Sequence, residues 1–353
     1  MNKSPEKNSH QDSKSGLLQQ ALRTKRMKLE DLSHQNWSFA SLEGLNFQTN
    51  LTEKMILRSA DLRNLKAHAA SFTTVDFSKA DLRGASDITG ALFHGCAMKN
   101  VNFAGANLAG TLFFQCDLAG SNFSGAQLNG AVFNECRLEG TRWTSSNLHG
   151  SYFLACALEK SDFSDSHLNG ARFLSCEGKR LLFDRSVLSQ SQFSCVSFPN
   201  SSFWGAQAED MMILNSKLQN CSFTNGKKAG FQARSFIVRN SSLEGSNFSG
   251  AYLYRAQMTG DLFSRMNLRS VDFSKSTLIN ALFAADLRRA KFSGSMLDYA
   301  HLVQCDARGA NFQKVNMRGA TLVKGQYSQN LFSPLEGPAH IDRSAGLLQK
   351  EKL

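Results

Sequence analysis

No apolar run in the 353-residue chain approaches the roughly 20 residues that cross a bilayer. No membrane-spanning helix is therefore expected. The first residues, MNKSPEKNSHQDSKSG, lack an apolar core, which argues against a Sec-type signal peptide. Eight cysteines are present but no CxxC pair, and their spacing fits a repeat better than a disulfide framework. A reducing compartment is expected. A G-x-S-x-G elbow is missing, as is any recognisable nucleophile–base pair. The string GANLAGT at 105–111 lacks the lysine of a phosphate loop. His94, His149 and His167 share no ligand spacing. Catalytic residues, cofactors and metal ligands are all expected to be absent.

Charge of both signs is present with a positive excess, 40 Lys/Arg against 29 Asp/Glu, or +11 formally. Residues 1–31 hold seven Lys/Arg against four Asp/Glu, and residues 328–353 hold three of each. The body between them therefore carries +8. Such a balance favours nucleic acid, acidic lipid or acidic protein, though only weakly if it is spread over a long rod.

What the chain does contain is a beat. Cys96, Cys116, Cys136, Cys156 and Cys176 stand 20 residues apart. Within that period Phe103, Leu108, Phe113, Leu118, Phe123 and Leu128 recur every five. Neither the 3.6 period of a helix nor the 2 of a strand explains this. Five residues per side and a corner after each describe a four-sided coil. Centres run from Trp37 to Leu82, from Ile88 to Phe283, and from Leu287 to about Tyr327. Their 59 positions give about 15 coils. Of 27 Phe, 22 sit at centres; Phe39, Phe114, Phe231, Phe236 and Phe332 do not. The position two before each centre is small, leaving room for a second inward side chain. Asn or Asp often precedes the centre and Gly often follows two after it, both compatible with turns. Two Phe columns face each other, one through Phe93 and Phe113 and one through Phe103 and Phe123, with Leu columns between. Cysteine in the small position reads as an apolar filler, because a metal site needs ligands converging on a point.

Recognition is expected where the beat fails, since irregular segments carry function more often than a repeated core. One residue is inserted at Ala85–Gly90. Cys176–Arg180 places Gly178 at a centre, marking Lys179 and Arg180 as a second candidate break. Asn225–Arg234 places Lys228 at a nominal centre, where a charge cannot easily face the core unpaired. A bulged basic interaction loop with Asn225, Lys227, Lys228 and Arg234 is expected. Asp261, at a small inward position, reads as a structural hydrogen-bonding residue.

The stretches ADLRGA, NFAGANLAG and AGSNFSGAQL at 80–128 resemble the pentapeptide-repeat family, with its pattern A-(D/N)-L-x-x. The resemblance covers roughly residues 32–327 and implies an all-β, right-handed quadrilateral β-helix. At about 4.8 Å per coil, 15 coils would make a rod of roughly 70 Å. Residues 1–31 are expected to form a polar, basic tail with a capping helix from residue 16. Residues 328–353 are expected to form a tail, with a helical turn at Ala345–Lys350 serving as a cap or a dimer contact.

The function expected is a non-enzymatic binding scaffold acting through protein contacts, with a homodimer through one end open. The polar stretch 1–15 is similar to the amino-terminal signals of type III effectors, which implies a bacterial secreted effector. Localisation is then cytoplasmic, or in a host cell without a Sec signal. The alternative implied by the family is a DNA mimic that binds a topoisomerase, gyrase, and protects it. Mimicry requires an acidic surface, which a basic body opposes. Direct binding to nucleic acid is not expected, because the aromatics are read as pointing inward.

Overall fold

The computed structural model describes residues 46–48, 56–224, 231–258, 262–328, 340–341 and 347–348. Every strand pairing among them is parallel, as in Phe93↔Phe113 and Phe113↔Phe133, and the described residues contain no helix. The chain is a four-sided parallel β-solenoid. Its faces are numbered by their centres: face 1 holds Phe93, face 2 Met98, face 3 Phe103 and face 4 Leu108. All four centres are fully buried.

The pentapeptide pattern follows from hydrogen bonds at the corners. The Asx residue before the centre uses its side-chain oxygen to accept from the backbone N–H two residues on. Asp81 accepts from Arg83, Asn102 from Ala104, Asp162 from Ser164 and Asp272 from Ser274. This is an Asx turn, and it ends the short β segment at once. Face 1 is different. Between Leu92 and Ile237 it carries Leu, Val, Tyr, Gln, Met, Ile or Arg before the centre, so no such turn forms and three-residue strands persist.

The core is as dense as the sequence suggests. On face 1 the rings of Phe113 and Phe133 stack at 4.8 Å, and on face 3 those of Phe103 and Phe123 at 4.9 Å. The two columns meet edge to face, with Phe123 and Phe133 at 6.1 Å and 84°. Small-position side chains tie successive coils together. Ser121 Oγ donates to the Met98 carbonyl (2.7 Å), and Cys116 Sγ to the Phe93 carbonyl (3.4 Å). The cysteine column is thus a set of free, buried thiols doing what serine does elsewhere. Burial pushes the Cys221 thiol up to about 12 and the Cys305 thiol up to about 11.

The register irregularities at both predicted places are present. Lys66 pairs with Asp87, one position beyond the regular step, and Leu282 with His301, one position short of it. The coil count differs from the expectation. The described residues form about 12 turns, against the expected 15 or so. Two coils are longer by one pentapeptide, pairing Asn46 with Ser71 and Gln207 with Gln232, so they absorb extra centres. The expected count also began at Trp37, outside the described residues. The second long coil has a further consequence. Phe occupies mainly faces 1 and 3 up to Phe248, then faces 2 and 4, where Phe263 stacks on Phe283 and Phe273 on Phe292. The aromatic pair turns by one side of the square.

The proposed capping helix and tail positions lie almost wholly outside the described residues. In the carboxy-terminal segment, His340–Ile341 and Leu347–Leu348 continue the ladder by pairing with Thr321–Leu322 and Tyr327–Ser328. Of the segment Ala345–Lys350, where a helical turn is expected, only Leu347–Leu348 is described, and it is paired as a strand.

Candidate functional site: a cationic face beyond the long coil

Charge is not spread along the rod, contrary to expectation. Residues 56–224 hold 14 Lys/Arg and 14 Asp/Glu. Residues 231–328 hold 13 Lys/Arg against six Asp/Glu, a net +7. Pairing differs in the same sense. Most cations of the first stretch sit on carboxylates, as Arg83 on Asp81 (2.7 Å) and Arg185 on Asp165 (2.6 Å). In the second stretch Arg265, Arg288, Lys291 and Arg308 are so held. The other nine have no carboxylate within 4.0 Å among the described residues.

Several of these free cations gather on face 4 around one ring. The Arg255 guanidinium lies 5.4 Å from the Tyr254 ring centroid, the Lys275 ammonium 5.5 Å and the Arg234 guanidinium 5.9 Å. Tyr252 lies parallel to Tyr254, 5.8 Å away. Each cation gains from the ring quadrupole, which partly offsets the repulsion among them. The Tyr254 hydroxyl is pulled below the usual phenol range by its hydrogen bond to Lys275 and by the surrounding positive charge. Successive coils stack on face 4, with Gln232, Tyr252 and Asp272 aligned before the centres; Arg234 shares the column of Tyr254, one after the centre, and Arg255 shares that of Lys275, two after it.

Of the loop residues singled out in the sequence, Arg234 belongs to this cluster. Asn225, Lys227 and Lys228 lie outside the described residues, as does Asp261. The flanks of the loop are clear. The Phe231 N–H donates to the Phe223 carbonyl (3.0 Å), and the two rings meet edge-on at 5.0 Å. Phe231 fills the small position and Ala233 the centre, reversing the usual sizes while keeping both buried.

Lys179 and Arg180 are a different case. The ladder runs through them without a shift, since Glu177 pairs with Ser197 and the Gly178 N–H reaches the Ser197 carbonyl (3.0 Å). The expected break is a local exchange of core volume. Leu181, in a small position, is fully buried and supplies bulk that Gly178 lacks. Outside, a hollow of about 300 Å³ is lined by Glu139, Glu159, Glu177, Lys179, Ser197 and Pro199. Both cations lean on Glu159, Arg180 at 3.3 Å and Lys179 at 3.8 Å, so little charge is left for a partner. A Cβ on Gly178 would lie 2.8 Å from Glu159 N and from Leu158 C. Gly178→Ala is accordingly expected to destabilise the protein by roughly 1–3 kcal/mol, the cost of overpacking. Urea unfolding checks this; an unchanged or raised midpoint would mean that the backbone is free to move outward.

Sequence reasoning missed two surface features. Tyr252 and Tyr254 point outward, so the premise that aromatics all face the core fails at this site. Their signal was available, since both flank the centre Leu253. The outward side of face 1 is apolar, with Leu112, Phe114, Val132, Tyr152 and Leu154 in consecutive coils. Tyr152 and Leu154 are 37% and 41% exposed. No group of three His, Cys, Asp or Glu that could hold a metal ion exists among the described residues. Nor is any described helix long and apolar enough to cross a membrane.

Comparison with known proteins supports the repeat reading. A family model described as a pentapeptide repeat region matches residues 86–163. A second, pentapeptide repeats in eight copies, matches 56–96 and 285–322. No curated protein matches. Among solved structures, the chain is similar to HetL, involved in heterocyst differentiation regulation in the cyanobacterium Nostoc sp. strain PCC 7120. That match has 17% identity, 87% of this chain, 96% of that one and a TM-score of 0.21. QnrB1, a plasmid-mediated fluoroquinolone resistance protein, matches at 21% identity over 65% of this chain and 91% of its own, TM-score 0.27. A pentapeptide-repeat protein of the Arabidopsis thaliana thylakoid lumen matches at 24% over 34% and 66%, TM-score 0.19.

Proposed function

Because the chain belongs to the pentapeptide-repeat proteins, we propose that it is a non-enzymatic binding scaffold whose carboxy-terminal coils engage an anionic partner. The observation that carries this reading is the division of charge, zero over residues 56–224 and +7 over 231–328. A solenoid holds its surface groups at fixed spacing, so a partner meets a preset array. Free cations on such an array attract anions and steer their approach. The neutral coils then serve as a spacer and as a second surface.

Heparin chromatography of the full chain tests the reading. Arg234→Gln, Arg255→Gln and Lys275→Gln together should lower the eluting salt concentration clearly. Lys66→Gln, Lys79→Gln and Arg142→Gln, which remove the same charge from the neutral coils, should lower it much less. Equal losses would refute a localised anionic site. The gyrase-protecting alternative needs an acidic strip, and neither 56–224 nor 231–328 has an acidic excess. Delivery into a host cell is a separate proposal, resting on the polar stretch 1–15, and a translocation reporter fused to residues 1–30 decides it.

A further inference from the structure

We infer that the anion taken by face 4 is single-stranded nucleic acid, bound across the successive coils that carry Arg234, Arg255, Lys275, Lys291 and Lys314 on either side of the buried centres. This inference rests on the anionic-partner reading above and names the partner class.

Three observations separate nucleic acid from an acidic protein. The first is the aromatic pair. Tyr252 and Tyr254 are half-exposed, mutually parallel and set among the cations, not apart from them. Interleaved basic and aromatic side chains are how strand-binding surfaces hold phosphates and stack bases together. The second is the scarcity of carboxylates. Along the outward positions of face 4 from Gln232 to Lys314, Asp272 is the sole acidic residue, and Lys291 holds it at 3.8 Å. A protein partner carries cations of its own and would meet no answering charge here. A polyphosphate chain requires none. The third is length. Residues 232, 252, 272, 291 and 311 occupy successive coils. Four rises of about 4.8 Å give about 19 Å. A stacked strand with about 3.4 Å per phosphate fits five or six phosphates into that span. Arg269 and Arg289, exposed on the adjoining face 3 with no carboxylate partner among the described residues, widen the positive field at that edge.

The test is fluorescence anisotropy with the full-length protein and a labelled 12-nucleotide oligo-dT, titrated at several salt concentrations. A matched duplex and a polyglutamate of similar charge run beside it. The expected result is binding to the single strand with a log–log salt slope near −3.5, about −0.7 for each of five phosphates. Arg234→Gln/Arg255→Gln/Lys275→Gln should flatten that slope by about 2. Tyr252→Ala/Tyr254→Ala, which keeps every cation, should weaken the single strand at least about fivefold and leave polyglutamate unchanged. Polyglutamate bound as tightly as oligo-dT, with no effect of the tyrosine pair, would overturn the nucleic-acid inference while the anionic site stands. Duplex bound more tightly than single strand would overturn it equally. Loss of heparin dependence on the three cations would overturn the site itself.

Discussion

Replacing Trp143 with alanine is expected to lower stability by roughly 3–5 kcal/mol, the range for deleting a large buried aromatic. The ring is fully buried in the Phe column of face 3. It stacks on Phe123 at 4.2 Å and on Phe163 at 5.4 Å, and it meets Phe133 and Phe153 edge to face at 5.2 and 5.7 Å. Coils above and below are fixed by their own hydrogen bonds, so the space cannot close by collapse. A polar tie is lost as well. The indole N–H donates to Thr141 Oγ1 (2.7 Å), whose hydroxyl reaches the Leu138 carbonyl (2.7 Å). Trp143→Phe separates the two losses. It restores the residue found elsewhere in the column and should cost less than about 1.5 kcal/mol. Urea unfolding followed by far-UV circular dichroism measures both variants. A loss under about 1 kcal/mol for the alanine variant would contradict a closed aromatic column. Because a solenoid propagates stability between neighbours, the same variant should raise amide exchange most in the coils flanking residue 143.

The fold was legible because its cause is local and repeated. Phe103, Leu108, Phe113 and Leu118 each face inward for the same reason, and a period over so many copies leaves little ambiguity about what is core. The single-residue insertion near Asp87 and the deletion before Leu287 were legible for the same reason, as slips in a beat. Gly178 misleads when centres alone are considered. Leu181 compensates from a small position, which becomes visible only when both inward positions share one volume. The cationic face was hidden by averaging. The net charge of the whole body is +8, whereas residues 56–224 carry zero and residues 231–328 carry +7. Tyr252 and Tyr254 escaped notice because aromatics here are overwhelmingly core, and outward position is set by register, not by residue type. The apolar exterior of face 1 is the same lesson: Leu112, Val132 and Tyr152 stand one coil apart and are therefore neighbours.

Leu148→Lys is expected to exceed the roughly 2–5 kcal/mol of a simple Leu→Ala truncation, because it adds a buried charge to the lost packing. Leu148 is fully buried, on face 4 between the coils of Leu128 and Leu168. Buried Leu128 and Leu168 lie in the adjoining coils and Ser146 and Ser151 fill the small positions on either side, and no Asp or Glu is among the buried residues of these coils to pair an ammonium. The chain itself never tolerates such a residue inside the described ladder. Its one lysine at a nominal centre, Lys228, falls within the long coil between Gln207 and Gln232. The pH dependence identifies the cause. Burial disfavours the charged form, so the folded-state pKa of the introduced lysine falls below its unfolded value of about 10.4. Between those two values the unfolded chain binds more protons than the folded one, and stability therefore rises with pH. Unfolding free energies of the variant from urea titrations, corrected for the parent protein, should climb from pH 7 to pH 9.5 by up to about 1.4 kcal/mol per unit. Leu148→Met, of similar volume and without charge, should show neither the large loss nor the slope. A lysine variant with a flat pH profile would mean that the ammonium escapes to solvent past the corner, and that the four-sided core is open on face 4.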